Sequence, residues 1–123
     1  MKILIMDDES QILKLLENYL TMLNHQVVTA SDGQKGLELF LQTPDVFDLI
    51  ITDFKMPGLD GISVIFRLKD EGYEIPVVFI SGHRMKEEKV DTRDLKVAAI
   101  LDKPFDLKKL NQIVSLVEKA ERK

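Results

Sequence analysis

The chain contains no cysteine. That absence excludes disulfides, thiolate metal sites and cysteine nucleophiles together. Histidine is nearly absent too, with two residues, His25 and His83, that lack metal-ligand spacing. No apolar run reaches membrane-spanning length, and the opening Met1–Met6 is too short for a signal peptide or a bilayer span. Basic residues form no block, and the formal net charge is −4, so nothing suggests an electrostatic grip on nucleic acid. Repeats, linkers and low-complexity tracts are missing as well. What these absences leave is a soluble, cytoplasmic protein with no direct contact to membrane or nucleic acid.

Against those gaps stands an ordinary globular composition, 45% hydrophobic and 31% charged over 123 residues. That is enough chain for one real core, so residues 1–123 are expected to form a single domain. Short apolar runs alternate with segments of helical period. Strands are predicted at Lys2–Met6, Gln26–Ala30, Asp48–Thr52, Ile75–Ile80 and Val97–Leu101. The third is apolar on both faces, as a covered parallel strand should be.

Between the strands, Ile12, Leu16, Tyr19, Leu20 and Leu23 form one helical stripe, with Ser10 as the expected cap and Asn24 as a left-handed stop. Ser31 and Gln34 have capping-box spacing before a helix burying Leu37, Phe40 and Leu41 and closed by Pro44. Ile62, Ile65 and Leu68 stripe a third helix. A fourth, over residues 84–95, has only Met85, Val90 and Leu95 as apolar anchors. The fifth carries Leu107, Leu110, Val114 and Val117 and is capped by Asp106. Five strands alternating with five helices predict an α/β sandwich around a parallel sheet with right-handed crossovers.

The polar residues beside strand ends all fall at the carboxyl end. Asp7 and Asp8 follow the first strand and Asp53 the third. Ser81 follows the fourth, and Lys103-Pro104 lies after the fifth. In open α/β sheets that edge carries the ligand crevice. Each residue has an ordinary explanation alone: an acidic run favouring a helix dipole, a serine cap, a surface lysine. Together they bring three carboxylates, a hydroxyl and an ammonium to one place. Three close carboxylates repel one another unless a cation joins them. An all-oxygen donor set favours a hard ion such as Mg²⁺. A divalent cation beside Lys103 suits a phosphoryl group, whose transfer needs charge neutralisation and in-line positioning.

The segments Ile5-Met6-Asp7-Asp8-Glu9, Asp53-Phe54-Lys55-Met56-Pro57-Gly58-Leu59-Asp60-Gly61, Phe79-Ile80-Ser81-Gly82 and Asp102-Lys103-Pro104-Phe105 resemble the receiver domains of bacterial response regulators. The resemblance covers essentially the whole chain, in the family's order and spacing. It implies a flavodoxin-like three-layer sandwich with strand order 2-1-3-4-5. It implies that Asp53 takes a phosphoryl group from a phosphohistidine, on a sensor histidine kinase or a phosphotransfer protein, or from a small phosphodonor. Asp8, Asp53 and the backbone carbonyl of Lys55 would bind Mg²⁺ directly, and Asp7 through water. Lys103 would contact one phosphoryl oxygen and Ser81 would turn in to another, with the Lys103–Pro104 peptide cis. The acyl phosphate would then switch binding to a downstream effector domain or protein. Such a chain is a signalling phosphoacceptor that catalyses only its own phosphorylation and dephosphorylation. The sequence stops after the fifth helix, so no effector domain is expected within it.

Two departures from the family pattern concern the switch and not the acceptor. Ile100 stands where the family usually has Tyr or Phe, and Leu95-Lys96-Val97-Ala98 replaces the common Ala-Gly-Ala before strand five. Lys55 and His83 flank the site at variable positions. Three rivals fit less well. A haloacid-dehalogenase phosphohydrolase would place a second aspartate where Lys55 stands. A flavodoxin needs a hydroxyl- and Gly-rich phosphate loop where this chain has Asp7-Asp8-Glu9. An unphosphorylated receiver-like module would be expected to have lost a key residue, and none is lost.

Overall fold

The computed structural model describes residues 1–82 and 92–121. Five strands form one parallel sheet: β1 (Lys2–Met6), β2 (Gln26–Ala30), β3 (Leu49–Asp53), β4 (Val77–Ser81) and β5 (Val97–Asp102), in the order β2-β1-β3-β4-β5. Four α-helices lie among the described residues: α1 (Ser10–Met22), α2 (Gly33–Gln42), α3 (Gly61–Asp70) and α4 (Leu107–Glu121). The helix expected over residues 84–95 falls mostly outside the described residues, as do His83, Met85 and Val90. Its described end, from Thr92 to Leu95, is turn and not helix.

Side-chain alternation along the strands builds two cores. Leu4, Met6, Ile50, Val77 and Phe79 point to one face and pack with Leu37, Phe40, Val64, Ile65 and Leu68 from α2 and α3. Ile3, Ile5, Leu49, Ile51, Val78, Ile80 and Leu101 point to the other and meet Leu16 and Leu20 of α1 with Leu110, Val114 and Val117 of α4. β3 and β4 are buried throughout, as central parallel strands must be, whereas edge strand β5 is buried only at Leu101.

Several boundaries differ from the sequence reading, each for a local reason. Ser10 is the first helical residue of α1 and not its cap. Glu9 holds the cap position, its N–H taken by Asp7 Oδ1 at 2.8 Å and its carbonyl accepting from Ile12 and Leu13. Asp32, not Ser31, caps α2, accepting from the Lys35 N–H at 2.7 Å; a carboxylate is the stronger acceptor. Gln34 bonds along the helix to Glu38 instead of closing a capping box. β3 and β4 start and end later than expected, so Asp53 and Ser81 are their last residues rather than the residues beyond them. Asn24 is the left-handed stop, with φ 71°. Asp106 accepts from the Lys108 N–H at 2.8 Å at the start of α4.

Candidate functional site

β1 delivers Asp7 to the carboxyl edge of the sheet, where its N–H still reaches Ala30 of β2 at 3.2 Å. β3 ends on Asp53, fixed from behind by two contacts. Thr52 Oγ1 donates to the Asp53 carbonyl at 2.9 Å, and Gly61 at the start of α3 lies against it. A Cβ on Gly61 would overlap that carbonyl oxygen and come within 2.6 Å of Thr52 Oγ1. Only glycine lets α3 approach the end of β3 so closely. After Asp53 the chain turns through Pro57 and Gly58, whose φ of 75° is the left-handed region glycine favours.

The carboxylate oxygens of Asp7, Asp8 and Asp53 lie within 4.8 Å of one another, with Asp7 and Asp53 buried and Asp8 exposed. Lys103 Nζ enters from beyond β5. It stands 3.0 Å from Asp53 Oδ2, 3.0 Å from Glu9 Oε1 and 3.6 Å from Asp7 Oδ2. The Lys103–Pro104 peptide is cis, and the Lys103 N–H donates to the Ser81 carbonyl at 2.8 Å. Lys55, with an exposed side chain, donates its backbone N–H to Asp53 Oδ1 at 3.4 Å.

Burial sets the electrostatics. It pushes Asp7 up to about 6, helped by the Asp53 charge and opposed by the Glu9 N–H and Lys103. Burial likewise raises Asp53, while its hydrogen bond to Lys103 and that ammonium's charge pull the other way. Lys103 would be lowered by burial, but its bonds to Asp53 and Glu9 outweigh this and raise it. The ammonium stays charged and neutralises part of the cluster. It does not satisfy all of it: Asp7 Oδ2 is buried with no hydrogen-bond partner. An orphaned carboxylate oxygen amid an all-oxygen donor set fits a hard divalent cation.

The Ser81 hydroxyl is bonded to a residue outside this cluster. The Ser81 side chain continues the face of Val77 and Phe79, and its Oγ donates to Asp102 Oδ1 at 3.0 Å. The structure therefore joins Asp7, Asp8, Asp53 and Lys103 directly, and holds Ser81 at the same edge on a different partner. Two participants escaped the sequence reading, Glu9 as a partner of Lys103 and Asp102 as the partner of Ser81. Glu9 was visible only as part of an acidic run. Asp102 could not be paired with Ser81 without the strand register.

Residues 3–115 match the family described as "Response regulator receiver domain". The chain belongs to that family. It is 35% identical over 122 residues to "Probable transcriptional regulator ycf27" of Cyanophora paradoxa, covering 98% of this chain and 49% of that protein. It is 36% identical over 104 residues to "Response regulator GtcR" of Aneurinibacillus migulanus, covering 85% of this chain and 42% of the relative. This receiver domain thus spans about half the length, or less, of these relatives. Its fold is similar to the crystal structure of a response regulator receiver domain protein from Clostridium thermocellum, with TM-score 0.88 and 28% identity over 98% of this chain and 96% of that one. The family places the chain in two-component signal transduction. No described helix of this receiver domain is long and apolar enough to cross a membrane.

Proposed function

We propose that this receiver domain accepts a phosphoryl group on the Asp53 carboxylate and that the resulting acyl phosphate is its signal. The observation that carries this is Lys103 Nζ at 3.0 Å from Asp53, within a carboxylate cluster whose Asp7 Oδ2 lacks a hydrogen-bond partner. Asp7, Asp8, Asp53 and the carbonyl of Lys55 would hold Mg²⁺, which when bound supplies positive charge for the phosphoryl oxygens.

In the transfer step an Asp53 carboxylate oxygen attacks phosphorus in line with the leaving group. A P–O bond forms as the P–N bond of a phosphohistidine breaks, and the electron pair stays on the imidazole, which gains a proton from solvent. Lys103 needs no proton transfer: a charged ammonium already beside Asp53 can donate to a phosphoryl oxygen as charge shifts onto it. Ser81 donates its hydroxyl hydrogen to another. In dephosphorylation, a separate step, water attacks phosphorus and gives up a proton to solvent, the P–O bond to Asp53 breaks, and the carboxylate and inorganic phosphate are released. The chain then acts as a signalling phosphoacceptor and not as an enzyme on an external substrate.

The donor is a phosphohistidine on a sensor kinase or phosphotransfer protein, and the reader of the signal is a downstream effector domain or protein. Residues 1–123 act as one cytoplasmic domain without touching nucleic acid. The test is incubation with Mg²⁺ and acetyl phosphate or phosphoramidate, followed by intact mass. One alkali-labile phosphoryl group is expected on the wild type and none on Asp53→Asn. Label that is stable to alkali, or that survives in the mutant, contradicts the assignment.

A further inference from the structure

Ser81 has a single hydroxyl hydrogen to give, and in this structure Asp102 has it. The bond is charge-assisted, 3.0 Å long, and joins a buried hydroxyl to the carboxylate of an exposed residue. It exists because of a register shift. β4 pairs with β5 at Val77↔Val97, but the next pair is Val78↔Ala99, so one residue of β5 is skipped. Everything beyond is moved by one, and Ser81 faces Asp102 where unbroken pairing would have set it opposite Leu101. The Lys103 N–H then closes onto the Ser81 carbonyl at 2.8 Å, which fixes Asp102 beside the serine.

We propose that Asp102 is a positioning residue that holds the Ser81 hydroxyl in its resting direction and competes with an anion on Asp53 for its one hydrogen. The inference rests on the reading of Asp53 as acceptor and Ser81 as donor to the phosphoryl group. A carboxylate and a phosphoryl oxygen are both acceptors, so neither can supply the missing proton to the other's bond. Ser81 must release Asp102 before it can serve the site. Asp102 is exposed, so water replaces the serine once it is released. The competition is therefore modest in size and reversible, as a signalling switch requires. It gives this chain a resting-state restraint on Ser81 at a place where Ile100, without an aromatic ring, offers none of that kind.

The test is a titration with beryllium fluoride, a tetrahedral anion that coordinates a carboxylate oxygen, at saturating Mg²⁺ and followed calorimetrically. Asp102→Ala should bind it about tenfold more tightly than wild type. Asp102→Asn, a neutral and weaker acceptor, should fall between. Mg²⁺ affinity without the anion should be the same in all three, since Ser81 is not among the cation's ligands. Ser81→Ala should weaken beryllofluoride binding, and adding Asp102→Ala to it should change nothing further. An equal gain from Asp102→Ala in the Ser81→Ala background would show a through-space charge effect and overturn the proposal. So would a wild type that weakens on Ser81→Ala yet is indifferent to Asp102→Ala. A wild type that does not bind beryllofluoride at all overturns the acceptor reading and this proposal with it.

Discussion

Asp7 is buried beside Asp53 with one oxygen that accepts no hydrogen bond, and the fold tolerates its charge poorly. Its carboxyl, ordinarily near 3.8, is raised to about 6, so between those values the folded chain binds more protons than the unfolded one. Stability from this group is therefore lost as pH rises through that window and stays level above it. In chelator-treated protein Asp7→Asn should be more stable than wild type above pH 6, by on the order of 2–3 kcal/mol. The difference should shrink toward zero near pH 4. Urea midpoints across pH check this, and a difference independent of pH would show that Asp7 is not held charged against the fold. The same repulsion is what a bound cation at the proposed Mg²⁺ site would relieve. Mg²⁺ at ~100 times its dissociation constant should stabilise the wild type by on the order of 2–3 kcal/mol and so raise its melting temperature, and should do so far less for Asp8→Ala. An equal shift in both proteins would remove Asp8 from the ligand set.

The elements place these residues through contacts of different legibility. Alternating apolar runs announced all five strands and the helices on Leu16 and Leu20, Leu37 and Phe40, Ile65 and Leu68, and Leu110 and Val114, because burial periodicity is a local signal. Caps were less legible. Ser10 and Ser31 are good cap residues by type, but Asp7 reaching back to the Glu9 N–H and Asp32 reaching Lys35 decide the actual starts. Those choices depend on where the preceding strand sets the chain down. The close seat of α3 on β3 was not readable at all, since Gly61 shows its reason only once the Asp53 carbonyl lies against it. Gly61→Ala should push α3 off that carbonyl. A loss of roughly 1–3 kcal/mol in denaturant stability is expected, as for overpacking elsewhere, together with slower phosphoryl labelling. Unchanged stability and labelling would mean that α3 yields without moving Asp53.

At the scale of the molecule, a parallel sheet collects strand ends on one edge, and that geometry makes Asp7, Asp8, Asp53 and Lys103 readable as one cluster from the sequence. The strand order and the cis Lys103–Pro104 peptide match what the family resemblance implied. What stayed hidden was whatever depends on register between strands distant in sequence. The β5 residue skipped between Val97 and Ala99 decides that Ser81 meets Asp102 and that Phe79 meets Ile100. No periodicity in either strand marks it. Ile100 is 45% exposed on edge strand β5, so the position that usually carries an aromatic is open at the surface here.

All of the proposed roles converge on one covalent bond, between Asp53 and phosphorus. The most direct test is to phosphorylate the wild type with phosphoramidate and Mg²⁺, reduce it with borohydride, and map the peptides by mass. Borohydride reduces an aspartyl phosphate to homoserine and leaves a free aspartate untouched. Homoserine at position 53, absent when Mg²⁺ is omitted, is the expected result. Homoserine at position 7 or 8, or phosphate retained on a serine or histidine with Asp53 unchanged, would contradict the assignment of Asp53 as the acceptor.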